Sequence, residues 1–181
     1  TAMRRLMLLR HAKSSWDDQA LRDFDRPLNA RGRAAAPLVA AWMVTNDCVP
    51  QHVLCSTAQR TRETLAACVP HFPDPLAVGL LDELYDAEAD DVAGIVRVHG
   101  GGESVLVIGH NPGIQECAAD LISDGDDRLV HSLESHFPTG ALAVIDFDIA
   151  EWAALEPDSG RLVSFVRPRD LDGDAGKRGK K

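Results

Sequence analysis

Short apolar runs recur along the chain, separated by segments in which apolar residues return with helical spacing. Six runs predict β-strands, because each has the length of a strand and is bounded by polar or turn-forming residues. They lie at residues 5–10, 53–56, 76–81, 104–109, 141–147 and 161–166. The first, RLMLLR, is apolar on both faces, which is typical of a central strand in a parallel sheet.

Four helices are predicted between these strands. They cover residues 30–45, 57–69, 88–98 and 111–122. Ser56, with Gln59 three residues later, has the spacing of a capping box. In the stretch NPGIQECAADLI, Asn111 is predicted as the N-cap and Pro112 as the first helical residue. Strands that alternate with helices predict an α/β protein, here a three-layer α/β/α sandwich with a six-stranded, mainly parallel sheet.

Length and composition fit one globular domain. The chain has 181 residues, of which 45% are hydrophobic and 26% charged, which are ordinary values for such a domain. We expect the domain to span residues 1–170. Residues 171–181 contain the basic sequence GKRGKK after a stretch rich in Gly and Asp, and this composition predicts a disordered tail.

Net charge, hydropathy and cysteine spacing bear on partners and on location. The net charge of −9 argues against general nucleic-acid binding, which requires a basic face. No apolar run approaches membrane-spanning length, so we expect no membrane association. Four scattered cysteines form no C-x-x-C pair, which favours reduced thiols in a cytoplasmic protein.

Three of the predicted strands end in basic or polar residues. Arg10 and His11 end the first strand, Arg60 lies one turn into the helix after the second, and His110 follows the fourth. Because ligands of parallel sheets bind beyond the carboxyl ends of the strands, these residues are expected to converge. Several cations crowded into one pocket repel one another and favour the binding of an anion. Arginine guanidiniums match phosphate oxygens, and the free N–H groups of a helix N-terminus also bind phosphate.

A histidine in such a pocket can attack phosphorus directly and form a phosphohistidine that water then hydrolyses. The arginines would spread the charge of the transferring phosphoryl group, which is most of what this chemistry requires. We therefore expect neither a metal nor another cofactor. No Walker-type loop is present in the sequence.

The stretches LRHAKS, STAQRTRET and GHNPG resemble the signature blocks of the histidine phosphatase superfamily, whose founding members are phosphoglycerate mutases. Ala12 stands where many members have glycine. Further stretches, RHAKSSW, DRPLNARG, LYDA and FPTGALAVIDF, are similar to the SixA-like phosphohistidine phosphatase branch. The similarity runs in matching order from residue 5 to about residue 147. It implies a phosphoglycerate-mutase-like fold.

The resemblance implies a role for each matching residue. His11 becomes the nucleophile, Arg10 and Arg60 hold the phosphate oxygens, and His110 binds and polarises the phosphate. Ser14 and Asn111 are further phosphate-binding candidates. Asp17 stands where the family has asparagine three residues after the serine.

The general acid is a separate question. Superfamily members that act on esters supply a carboxylate to protonate the leaving alkoxide, and Glu83 is the best positional candidate, with Asp82 second. An acidic helix start explains the same residues without catalysis. A phosphohistidine substrate relaxes the need for an acid, because imidazole is a better leaving group than an alkoxide.

The sequence therefore predicts a metal-independent phosphatase, with a phosphohistidine protein as the expected substrate and partner. Two alternatives remain open. One is a phosphatase for small esters such as sugar or nucleotide phosphates, with Glu83 as the acid. The other is a non-catalytic module that binds phosphorylated partners.

Overall fold

The structure, a computed structural model, describes residues 2–171. Within that range seven strands form one sheet, and helices cover both of its faces. The strands are β1 (Arg4–Arg10), β2 (His52–Ser56), β3 (Ala77–Leu81), β4 (Ser104–Gly109), β5 (Ile122–Gly125), β6 (Leu142–Phe147) and β7 (Gly160–Val166). The main helices are α1 (Ala30–Thr45), α2 (Gln59–Cys68), α3 (Ala89–His99), α4 (Gly113–Leu121) and α5 (Asp127–Ser135).

The six predicted strands are confirmed, but the sheet gains a seventh, β5. The apolar periodicity predicted that Ile122 continues the preceding helix. Instead its amide caps α4 by donating to Ala118, and its backbone is extended, with φ −79° and ψ 126°. Ile122 then pairs with Gly160 of β7. The short strand β5 and helix α5 were not predicted.

The sheet order places the three predicted site strands side by side. The order is β3-β2-β4-β1-β6-β7-β5. Strands β2, β4 and β1 are parallel neighbours, so their carboxyl ends lie along one edge. Strand β6 is antiparallel to both β1 and β7, and within residues 2–171 it is the one strand of opposite direction. The sheet is therefore mainly parallel, as predicted.

Alternating side chains of β1 enter two separate cores. Leu6 and Leu8 pack with apolar residues of α3 and α4 on one face. Met7 and Leu9 pack with residues of α1 and α2 on the other. All four side chains are at most 1% exposed. Burying such a side chain contributes about 1.5–3 kcal/mol to stability. Strand β1 is apolar along its whole length because helices cover both of its faces. The three-layer architecture is confirmed.

Local patterns gave the wrong cap for two helices. No side chain caps α2, which begins at Gln59 after Ala58. Helix α4 begins at Gly113, with Pro112 as its N-cap residue. The predicted capping box at Ser56 and the predicted N-cap at Asn111 are therefore wrong, because both side chains bond to residues far away in the sequence, as described below.

The chain's remaining features agree in part with the predictions. All four cysteines are buried and unpaired, and burial raises the pKa values of Cys55, Cys68 and Cys117 to about 12. Leu171, predicted to start the tail, packs partly against the core shared by α1 and α2. The rest of that predicted tail lies outside the described residues. None of the helices in residues 2–171 has both the length and the apolar character needed to cross a lipid bilayer.

Candidate active site

A cavity of about 560 Å³ opens at the carboxyl ends of β1, β2 and β4. Six of the seven predicted site residues line it, namely Arg10, His11, Ser14, Arg60, His110 and Asn111. The convergence follows from the strand order, because the loops after neighbouring parallel strands leave the sheet at the same edge.

The His11 imidazole is held in one orientation. Its Nδ1 lies 2.7 Å from the carbonyl oxygen of Ala12. A carbonyl only accepts, so Nδ1 carries the proton and Nε2 keeps its lone pair. The residue is 6% exposed, and burial is the main reason that its pKa falls to about 3. His11 is thus a neutral imidazole with its lone pair on Nε2 at neutral pH.

Backbone contacts from the loop before β6 hold the segment that contains His11. The amide of Gly140 donates to the carbonyls of both Arg10 and His11, at 3.1 and 2.9 Å. Gly140 has φ +76°, a conformation that favours glycine. On the other side, a Cβ at Gly32 of α1 would lie 2.1 Å from the carbonyl oxygen of Lys13. Two glycines therefore allow the backbone to close around His11.

Arg60 reaches His11 from α2. Its Nε donates to Nε2 of His11 at 3.3 Å. Its two terminal nitrogens donate to the carbonyl and the carboxylate of Asp23, at 2.7 and 3.0 Å. The guanidinium is therefore fixed from both ends, with one N–H facing the atom that would carry a phosphoryl group.

Asp23 is a site residue that the sequence analysis missed. It lines the cavity and accepts hydrogen bonds from Arg60, from Arg26 at 3.1 Å and from the Tyr85 hydroxyl at 2.5 Å. Burial alone would raise its pKa, but the bonds from Tyr85 and Arg60 outweigh this effect and lower the pKa to about 2. Asp23 is thus a carboxylate at neutral pH.

Arg26 is the second missed residue, although it lies in the quoted stretch DRPLNARG. It lines the cavity and is 7% exposed. It donates to the Ser14 hydroxyl at 2.7 Å, and its guanidinium carbon lies 3.5 Å from the centre of the Trp16 ring. Ser14 is therefore at the site, where it holds a third arginine. Trp16 is 71% exposed and forms part of the rim.

Arg10 approaches from the end of β1. Its terminal nitrogen donates to the Phe137 carbonyl at 3.0 Å, while its Nε is buried without a partner among the described residues. Burial, together with the nearby positive charge of Arg60, lowers its pKa. Two guanidiniums placed so close together indicate a site for a negatively charged group.

His110 lies next to His11, with ring centres 5.3 Å apart. Its Nε2 lies 2.8 Å from the Ser56 hydroxyl, which explains why that hydroxyl does not cap α2. Burial is the largest cause that lowers the His110 pKa to about 4, and Arg60 adds to it. Among the described residues, no group contacts its buried Nδ1.

Asn111 has its own long-range partner. Its side-chain amide donates to the Phe137 carbonyl at 3.0 Å, the same oxygen that Arg10 contacts. This bond replaces the predicted helix cap. Asn111 and Arg10 are thereby fixed to one point of the loop that precedes β6, and both line the cavity.

Glu83 and Asp82 are not brought to this cavity. Both are exposed in a short 3-10 turn after β3. Glu83 lines a different surface depression together with Asp90 and Asp91, and Asp82 accepts a hydrogen bond from Thr57 at 2.5 Å. The positional argument failed because the turn after Leu81 leaves Glu83 exposed, and it is Tyr85, two residues later, that reaches Asp23.

The arrangement is suited to bind a tetrahedral oxyanion against an imidazole nitrogen. Arg10, Arg26 and Arg60 supply three guanidiniums, whose forked N–H groups match phosphate oxygens. Asp23 is the one carboxylate that lines the described cavity. In the part of the chain that the structure describes, no group of three or more His, Cys, Asp or Glu side chains could hold a metal ion.

Comparison with known proteins agrees with this geometry. Residues 6–97 match the family model for the histidine phosphatase superfamily, branch 1. The Mycobacterium tuberculosis protein Rv1276c is 37% identical over 164 residues, which are 89% of this chain and 100% of that protein.

Two solved structures described as candidate SixA phosphohistidine phosphatases are also similar. The one from a Nakamurella species has a TM-score of 0.80 and 32% identity, covering 93% of this chain and 98% of the other. The one from Agrobacterium tumefaciens has a TM-score of 0.77 and 33% identity, covering 91% and 98%. The chain therefore belongs to the histidine phosphatase superfamily and is a SixA-like phosphatase.

Proposed function

We propose that this phosphatase hydrolyses phosphohistidine on proteins, through a phosphorylated His11 and without a metal ion. The observation that carries the choice of substrate is that Asp23, the one carboxylate lining the described cavity, accepts hydrogen bonds from Arg26, Arg60 and Tyr85 and is thereby held in its ionised form. Its pKa of about 2 leaves the described cavity lining without a protonated carboxylic acid at neutral pH. An alkoxide leaving group needs such an acid, whereas an imidazole leaves more easily.

In the proposed first step, Nε2 of His11 attacks the phosphorus of the substrate phosphohistidine. The new N–P bond forms as the bond to the substrate imidazole breaks, and the substrate ring, protonated at its other nitrogen, takes the electron pair and leaves as neutral imidazole. In the second step, water attacks phospho-His11, and its proton goes to solvent. Phosphate leaves, and the His11 lone pair is restored.

The arginines stabilise the charge that spreads over the phosphoryl oxygens during both steps. The N–H at Nε of Arg60 now faces Nε2 of His11, so an entering phosphoryl oxygen can accept that hydrogen bond instead. Asp23 keeps the rest of the Arg60 guanidinium in place. Such preorganised donors cost little rearrangement when charge develops.

The open approach to the site supports a protein substrate. Only residues 82–103 connect β3 to β4, and most of them form α3. This segment packs against α4 rather than forming a separate lid. A histidine side chain displayed on another protein can therefore reach the cavity. The likeness to proteins described as candidate SixA phosphatases, at 32% and 33% identity, supports the same substrate.

The test compares a phosphohistidine protein with p-nitrophenyl phosphate, at neutral pH and with excess EDTA. We expect the phosphohistidine to be cleared much faster, and we expect His11→Ala to abolish the activity. Brief incubation and denaturation should trap phosphate on His11 in an acid-labile, base-stable form. Glu83→Gln is the matched control and should leave the rate unchanged.

Other results would select the alternatives. Fast hydrolysis of the ester that collapses in Glu83→Gln would favour a phosphatase for small esters. If the wild type cleaves neither substrate, a module that only binds phosphorylated partners would be favoured. Loss of phosphohistidine turnover in EDTA, restored by added metal, would overturn the metal-independent mechanism.

A further inference from the structure

A second, basic cavity adjoins the active site. We call it the basic groove; it has a volume of about 240 Å³, and its charged lining residues are Lys13, Arg31, Arg167 and Arg169. It shares Lys13, Pro138 and Thr139 with the active-site cavity, so the same three residues border both. No carboxylate lines the described part of this groove.

Most of these cations lack a partner within the described range. Arg167 is paired with Asp170, with a closest distance of 3.0 Å. Lys13, Arg31 and Arg169 are exposed, and none of them forms an ion pair with another residue between 2 and 171. A cluster of exposed cations raises the local concentration of anionic partners, even on a chain whose net charge is −9.

The position of Arg31 adds an independent indication. It lies in the first turn of α1, which contains no acidic residue. A cation in the first turn of a helix is disfavoured by the helix dipole. The Arg31 side chain also makes no hydrogen bond among the described contacts. Within the described residues, therefore, no hydrogen bond offsets the unfavourable interaction with the helix dipole.

A different part of the active-site rim carries the opposite charge. A groove of about 680 Å³ shares His110 and Asn111 with the active-site cavity. Its charged lining residues are all acidic, namely Asp86, Glu88, Asp90, Glu116 and Asp120. A partner with carboxylates beside its phosphohistidine is therefore repelled on this side and attracted on the side of Lys13.

We propose that the basic groove docks an acidic segment of the phosphohistidine-bearing protein, and so sets the direction in which the substrate lies across the site. The proposal rests on the proposed function. Exposed rim charges act chiefly on the rate of association and on its salt dependence. Arg31 and Arg169 are thus expected to govern recognition of the partner and not the chemistry at His11.

The test uses synthetic phosphohistidine peptides that carry either aspartates or serines on one flank, with p-nitrophenyl phosphate as a report of the His11 chemistry alone. We expect wild type to show a kcat/KM about five- to tenfold higher for the acidic peptide, as two exposed charge pairs allow. That preference should reside in KM and disappear between about 0.05 M and about 0.5 M salt.

The double variant Arg31→Gln/Arg169→Gln should lose the preference and keep its rate on p-nitrophenyl phosphate. The matched control, Arg128→Gln/Arg161→Gln, removes the same charge from exposed positions that line neither cavity, and it should keep the preference.

Three outcomes overturn the proposal. One is an equal rate with both peptides, and another is a preference that survives in the double variant. The third is an equal rise of KM for p-nitrophenyl phosphate, which would indicate a site for small anions. Hydrolysis of the ester with no phosphohistidine peptide cleaved would instead show that the proposed function itself has failed, and the docking proposal with it.

Discussion

At the scale of single residues, the site depends on side chains whose charge state is fixed by their neighbours. His11 is neutral because it is buried, and Asp23 is ionised because Tyr85 and Arg60 donate to it. In the proposed mechanism His11 therefore needs no base to attack at neutral pH. Each of these states can be changed by one substitution.

Asp23→Asn should lower kcat/KM for phosphohistidine by about 10- to 100-fold, because a misplaced guanidinium costs rates of that order. The substitution removes the carboxylate charge that accepts from one terminal nitrogen of Arg60, whereas the backbone carbonyl of residue 23 still accepts from the other. Steady-state kinetics measure the effect. Asp25→Asn is the matched control, since Asp25 pairs with the exposed Arg22 and does not line the described cavity. Equal kinetics for the two variants would contradict this positioning role for Asp23.

The buried His11 should also make folding stability depend on pH. An unfolded histidine binds a proton near pH 6.5, whereas folded His11 stays neutral down to about pH 3. Between these values the unfolded state binds more protons, so the free energy of unfolding falls as the pH is lowered. The variant His11→Asn should lose less stability between pH 7 and pH 5, by up to roughly 2 kcal/mol. Urea titrations measure this, and parallel curves would contradict it.

At the scale of elements, helix α1 is fitted against the nucleophile loop. Gly32→Ala places a methyl group 2.1 Å from the Lys13 carbonyl oxygen, so either the loop or the helix must move. We expect a loss of about 1–3 kcal/mol in the free energy of unfolding and slower catalysis, since Lys13 follows His11 closely.

The matched control is Gly94→Ala in α3, where no atom lies within 4 Å of an added Cβ. That substitution should stabilise the protein by about 0.5–1 kcal/mol, because alanine is the better helix former. Denaturant unfolding measures both variants. An equal effect at the two glycines would show that helix propensity decides, rather than the close contact with the loop.

Predictions from the sequence were right where neighbouring residues determine the structure. They were wrong where a side chain bonds to a residue far away in the sequence. The apolar runs predicted six of the seven strands. The three motif blocks predicted Arg10, His11, Arg60 and His110, which all line the cavity. The Ser56 hydroxyl bonds to His110, 54 positions away, so a local capping pattern could not predict it. Asp23 lies in a short 3-10 turn, where the sequence has no periodic pattern. Its place at the site becomes clear from its three-dimensional contacts with Arg26, Arg60 and Tyr85.

At the scale of the whole molecule, one sheet separates two cores. Leu8→Ala and Met7→Ala each leave a cavity in a different core, and we expect each to cost about 2–5 kcal/mol. Both variants should still unfold in one transition, because β1 belongs to both cores. Unfolding followed by circular dichroism and by tryptophan fluorescence checks this.

Met3→Ala is the control for this pair. Met3 is 57% exposed, so its truncation should change the stability by less than about 0.5 kcal/mol. Non-coincident transitions in either core variant would mean that the two faces of the sheet unfold independently.

The position of Tyr85 has a practical consequence. It is the chain's single tyrosine, its hydroxyl bonds to Asp23, and its ring centre lies 5.5 Å from that of His110. Tyrosine spectroscopy therefore samples the candidate active site without any substitution in the chain. Selective isotope labelling of tyrosine gives the signals of one ring, and we expect their chemical shifts to change when phosphate binds.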